Sequence, residues 1–176
     1  MMEKMMTDEL LCIDTNVMLW GILKQGQTEQ ENRMVKKASV FFEKGFKEGK
    51  SFAISIITLS EILVNIPPEE RNPFLEIISQ NFIILPYSFD AAEKAADIFR
   101  EQYSSMKSKY IGKRGILRPD MHILASILAF NNSTNAGKYN HISLITEDKA
   151  FCALAGLYIS VSGIPDPPLV QGDFFD

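Results

Sequence analysis

Short apolar runs at residues 10–13, 51–57, 82–85, 142–146 and 157–161 alternate with longer stretches in which apolar residues recur every three or four positions. Runs this short read as strands, and the three-to-four spacing reads as helices that bury one face. Helical periodicity is clearest over 90–106, where Ala92, Ala95, Ala96, Phe99 and Tyr103 share a stripe and Asp90 with Glu93 marks a start. A second helix is predicted over 119–131, with Pro119 in its first turn and Ile123, Leu124, Ile127 and Leu128 on one face. Residues 29–48 predict an amphipathic helix, Pro67-Pro68 and Asn72-Pro73 punctuate a helical pair, and 131–137 reads as a loop. Strands alternating with helices predict an α/β fold with a mostly parallel sheet. One domain is expected over 8–164, followed by a Pro-containing tail over 165–176.

Composition narrows the class. A chain of 176 residues with 46% hydrophobic content is long enough and apolar enough for one real core. No run approaches the roughly 20 apolar residues of a membrane span, and the acidic start does not read as a secretory signal, so a cytoplasmic protein without membrane association is expected. The two cysteines, Cys12 in the first apolar run and Cys152 on an apolar helix face, are expected to be reduced, buried thiols. A formal net charge of -4 offers no global attraction for nucleic acid, so any such function rests on a local patch.

Four acids carry the candidate chemistry. Asp14 ends the first apolar run, Asp148 follows the fourth, and Glu61 and Asp120 fall near helix starts. Each has an ordinary reading: Asp14 and Asp148 as helix caps, Glu61 as the far end of a Thr58-to-Glu61 capping box, and Asp120 as a first-turn charge. The set says more than its members. In an open parallel sheet ligands bind outside the carboxyl ends of the strands, which brings such acids to one rim. Two carboxylates about 4 Å apart repel by roughly 4 kcal/mol at an effective dielectric near 20, so a cluster calls for protons or cations. Oxygen ligands suit Mg²⁺ or Mn²⁺, and the chemistry implied is phosphodiester hydrolysis without a covalent enzyme intermediate.

The pieces Ile13-Asp14-Thr15-Asn16-Val17, Thr58-Leu59-Ser60-Glu61-Ile62, Asp120-Met121-His122-Ile123-Leu124-Ala125 and Thr146-Glu147-Asp148 span most of the chain in this order. In these pieces the chain resembles the PIN-domain nucleases, including the VapC-type toxins of toxin–antitoxin pairs. The resemblance implies a single-domain α/β/α sandwich and RNA cleavage dependent on Mg²⁺ or Mn²⁺. Asp14, Glu61, Asp120 and Asp148 would form the acidic metal site, supported by Asn16 or Thr146. RNA is then the expected partner, with an antitoxin protein and a second copy of the chain as further partners to look for. Long connections over 24–50 and 104–118 depart from a compact toxin, and Glu147 beside Asp148 competes for the last ligand position.

The candidate RNA contact is the stretch from Gln102 to Pro119, which holds Lys107, Lys109, Lys113, Arg114 and Arg118 and no acid. Phosphate contacts position a nucleic-acid strand, and Tyr110 could stack on a base; the ordinary alternative is a solvated loop. Arg33, Lys36 and Lys37 are a second, weaker candidate beside Glu29 and Glu31. His122 and His141 stand in unrelated contexts, and Trp20 reads as core or partner surface. Two other functions fit parts of the pattern. An aspartyl-phosphate phosphatase would need a second Asp where Asn16 stands, and a noncatalytic RNA- or protein-binding module would need the four acids not to converge.

Overall fold

The computed structural model describes residues 9–109 and 117–167. Strands β1 (Glu9–Ile13), β2 (Ser51–Ser55), β3 (Phe82–Leu85), β4 (His141–Ile145) and β5 (Ser160–Ser162) form one sheet in the order β3-β2-β1-β4-β5, parallel throughout. Parallel neighbours need crossover connections, and helices supply them. The described residues include α1 (Thr15–Gly21), α2 (Glu29–Lys47), α3 (Ile56–Leu63), α4 (Arg71–Asn81), α5 (Phe89–Lys109), α6 (Leu117–Asn131) and α7 (Lys149–Ala155). None of these helices is long and apolar enough to cross a membrane.

Strand alternation sorts side chains into two cores, one on each face of the sheet. Leu10 and Cys12 pack with residues of α5, α6 and α7, whereas Leu11 and Ile13 pack with residues of α1 to α4. The result is an α/β/α sandwich, as the alternation of strands and helices predicts. On the second face Phe41, Phe42, Phe52 and Phe82 form a cluster of tilted and edge-on rings, with Phe52 and Phe42 centroids 5.3 Å apart. That cluster fastens the amphipathic α2 to β2 and β3.

Several boundaries differ from the sequence reading, each for a local reason. The second strand stops at Ser55 rather than at 57, because the Ser55 hydroxyl accepts the Thr58 N–H at 2.9 Å and starts α3 at Ile56, inside the apolar run. Ser55, not Thr58, is therefore the cap, and Glu61 is released from the expected capping box. Helix α5 is started by Ser88, whose hydroxyl accepts the Ala91 N–H, rather than by Asp90. The fifth strand covers 160–162 instead of 157–161, since Leu157, Tyr158 and Ile159 spend their N–H groups closing the end of α7. Cys12 is buried as expected, but Cys152 is exposed: the buried face of α7 is taken by Phe151, Leu154 and Ala155. Trp20 is half-buried against the α1–α4 core.

Candidate active site

Register places the candidate residues on one edge of the sheet. Ile13 pairs with Ile145, and Asp14 N donates to Ile145 O at 3.1 Å, so Asp14 and Thr146 leave their strands side by side. The strand order runs outward from β1 to β3 on one side and from β4 to β5 on the other. The boundary between β1 and β4 is thus the point where the topology reverses, and the crevice outside the strand ends there is where open α/β sheets bind ligands. Asp14 and Asp148 flank that crevice. Glu61 comes from α3, which follows the neighbouring β2, and Asp120 from the first turn of α6.

Two threonines link three of the acids. Asp14 is 4% exposed, and both of its oxygens are occupied: Oδ1 accepts the Thr15 N–H at 2.7 Å and Oδ2 accepts the Thr146 hydroxyl at 2.7 Å. Thr146 Oγ1 in turn accepts the Asp148 N–H at 3.1 Å, which sets the turn into α7. Asp148 Oδ1 then caps that helix, taking the N–H groups of Ala150 at 2.7 Å and Phe151 at 2.9 Å. On the other side the Thr15 hydroxyl donates to Glu61 Oε2 at 2.5 Å, bridging α1 and α3. A continuous chain therefore runs Glu61, Thr15, Asp14, Thr146, Asp148. The caps expected of Asp14 and Asp148 are real, and they position the acids as well as starting helices.

Electrostatics joins the fourth acid to the set. Burial pushes the Asp14 carboxyl up to about 6, reinforced by the charges of Asp148 and Glu61 and opposed by the hydrogen bonds from Thr146 and Thr15. The Asp120 carboxyl is pushed up to about 7, again mainly by burial and then by the charges of Asp14, Asp148 and Glu61. The charges of Asp148 and Glu61 thus reach both Asp14 and Asp120. Among the described residues no ion pair reaches any of them.

Other candidates fall in different places. Asn16 is exposed, and no described hydrogen bond joins it to an acid; Thr15, which the sequence reading passed over, makes that contact instead. Glu147 points away from the chain of acids: its Oε1 accepts the Ile164 N–H at 2.8 Å and stands 4.0 Å from Lys37 Nζ. Lys113 and Arg114 lie outside the described residues, as do Tyr110 and the side chains of Lys107, Lys109 and Arg118. In the second basic candidate, Arg33 is paired with Glu29 at 2.6 Å and Lys37 with Asp166 at 2.8 Å, which leaves less free charge than the sequence implies.

Among the described residues, no three or more His, Cys, Asp or Glu side chains are gathered closely enough to hold a metal ion between them. The donor chemistry nonetheless fits a hard divalent cation. The candidate donors are carboxylate oxygens, burial and then neighbouring negative charge raise the acids of Asp14 and Asp120, and Mg²⁺ typically takes only one or two carboxylates while keeping several waters.

No protein-family model matches the sequence. No curated protein matches it either. Solved structures do match. One is VapBC2 from Rickettsia felis, a structure bound to a DNA fragment from its promoter: 18% identity, a TM-score of 0.59, and coverage of 89% of this chain and 99% of that one. Another is the DNA-bound VapBC from Salmonella typhimurium, at 19% identity and a TM-score of 0.55, covering 88% of this chain and 98% of that one. At this identity the likeness is one of fold, and the fold is VapC-like and of the PIN type.

Proposed function

We propose that this chain is a metal-dependent ribonuclease that hydrolyses RNA phosphodiester bonds, acting as the toxin of a toxin–antitoxin pair. The observation that carries the reading is the hydrogen-bonded chain from Glu61 to Asp148, with Asp120 coupled to it, at the reversal point of a PIN-type sheet. Asp14, Glu61, Asp120 and Asp148 would hold Mg²⁺ or Mn²⁺. When bound, such an ion screens the charge that develops on a phosphodiester and acidifies water.

The chain's own residues supply position and proton accounting. Asp14 is the fixed point, since hydrogen bonds at both oxygens leave its carboxylate no freedom to turn. Thr146 keeps Asp148 in register with it. Among the described residues no hydrogen bond restrains Asp120, and an acid pushed up to about 7 is partly protonated near neutral pH in the metal-free protein and would give that proton up when a cation arrives. Metal uptake should therefore release protons and weaken as pH falls below about 7. Lys109, Lys113, Arg114 and Arg118 are assigned to the RNA backbone, from their place in an acid-free stretch that leads into Asp120.

The deciding experiment is cleavage of a mixed RNA panel with Mn²⁺ by wild type and by Asp14→Asn. Wild-type cleavage that falls by at least about a hundredfold in the variant supports the reading, on the scale of losing one strong electrostatic stabiliser. Equal activity in both, or none in either, rejects it. For the basic stretch, replacing Lys113, Arg114 and Arg118 with Ala should flatten log affinity against log salt by about 2, at roughly 0.7 for each single-strand phosphate contact. Equal slopes would assign the stretch to solvated surface. Co-purification with an antitoxin, and the oligomeric state in its absence, test the remaining partner assignments.

A further inference from the structure

Among the described residues, Thr15 is the one that hydrogen-bonds the carboxylates of two of the acids. Its backbone N–H holds Asp14 Oδ1 at 2.7 Å while its hydroxyl holds Glu61 Oε2 at 2.5 Å, so one residue fixes two acids that lie on different elements. Resting on the metal-site reading above, we propose that Thr15 is a positioning residue that holds Glu61 in the orientation needed to receive a divalent cation.

Glu61 needs such a holder more than its companions do. Asp14 and Asp148 are short and tied to backbone N–H groups of their own helix starts. Glu61 carries an extra rotatable bond, and no backbone N–H among the described residues reaches its carboxylate. A glutamate left free would lose more conformational freedom on binding a cation, and affinity would fall accordingly. With Oε2 engaged, Oε1 has no hydrogen-bond partner among the described residues and would be available to a cation.

The Thr15–Glu61 bond is not required to dock the two helices. Val17 and Met18 of α1 and Leu59 and Ile62 of α3 belong to one buried apolar cluster, which joins these elements without help from a half-buried hydroxyl. A bond that adds little to docking and controls the direction of a carboxylate is better explained by what the carboxylate does. The adjacent Asn16, exposed and without a described hydrogen bond to any of the acids, offers no substitute.

The test is Mn²⁺ binding measured by calorimetry on the full chain, with no substrate present. Thr15→Val keeps the shape and removes the hydroxyl; it should weaken Mn²⁺ binding by about 10- to 100-fold, the usual cost of losing an outer-shell partner. Thr15→Ser restores the hydroxyl and should recover most of the affinity. In a Glu61→Ala background Thr15→Val should have no further effect, because the group it acts through is gone. Wild-type affinity in Thr15→Val, failure of Thr15→Ser to recover it, or an undiminished effect of Thr15→Val in the Glu61→Ala background would each overturn the proposal while leaving the metal site standing. A wild-type chain that binds no Mn²⁺ overturns both, and the wild-type arm alone reveals that outcome.

Discussion

Asp14, buried, and Asp120, half-buried, are acids with raised pKa values in one site, yet the chain treats them in opposite ways. Asp14 leaves a central strand and has a hydrogen bond at each oxygen, and its acid rises to about 6. Asp120 sits on a helix, with no described hydrogen bond to its carboxylate, and its acid rises to about 7. Hydrogen bonds that favour the charged form hold Asp14 nearer its ordinary value despite its nearly complete burial. Asp14 is thus held still and nearer its charged form, whereas Asp120 at the same rim is left to respond to whatever cation or proton is present.

The largest expected effect tests whether a cation is what Asp120 responds to. Mn²⁺ at a hundred times its dissociation constant should stabilise the protein by about 2.7 kcal/mol, which for a chain of this size is a rise in melting temperature of roughly 5 to 11 °C. The rise should shrink in Asp120→Asn. A melting temperature that ignores millimolar Mn²⁺ would remove the contrast between fixed and responsive acids.

Next in size is the effect of pH on the metal-free protein. A carboxyl whose folded pKa is raised binds more protons folded than unfolded, so its ionisation costs stability as pH climbs from about 4 through 7. Asp120→Asn removes that cost. It should therefore raise stability at pH 8 by about 2 kcal/mol, reduced from the full shift because the site is partly open to solvent, and by less than half as much at pH 5. Denaturant titrations at the two pH values give the difference directly. An equal change at both would mean that the charge of Asp120 is not the source.

These contrasts were unevenly legible in the sequence. The acids stood out because Asp14 and Asp148 each close an apolar strand, and that punctuation survives in one dimension. Thr146 was visible for the same reason, and its hydroxyl lies between Asp14 and Asp148. The role of Thr15 was hidden, because the Glu61 it touches is 46 residues away and nothing local announces the contact. The start of α3 was obscured by the β-branched run Ile54-Ser55-Ile56-Ile57-Thr58, which favours a strand until the Ser55 cap overrides it. Strand β5 is only Ser160–Ser162, too short and polar for a period-two signal.

The fixed side of the site is tested by Thr146→Val. Removing the hydroxyl takes a donor from the buried Asp14 Oδ2 and an acceptor from the Asp148 N–H. The cost should be about 1.5 kcal/mol, within the usual range for leaving buried polar groups unsatisfied. The loss should be greater at pH 8 than at pH 5, because the Asp14 carboxyl would rise further and its charged form would carry the penalty. A pH-independent loss would assign Thr146 to packing alone.

The smallest effect separates the two duties of Asp148, which caps α7 through Oδ1 and adds charge to the site. Asn caps a helix about as well as Asp, whereas Ala does not, so Asp148→Ala should cost about 1 kcal/mol more stability than Asp148→Asn. Both substitutions remove the negative charge and should reduce the stabilisation by Mn²⁺ to a similar degree. Melting curves of the two variants, with and without metal, measure both duties at once. If the variants are equally stable without metal, the cap contributes nothing and Asp148 is held by Thr146 alone; if Asp148→Asn keeps the full metal response, its charge is dispensable and the cation rests on Asp14, Glu61 and Asp120.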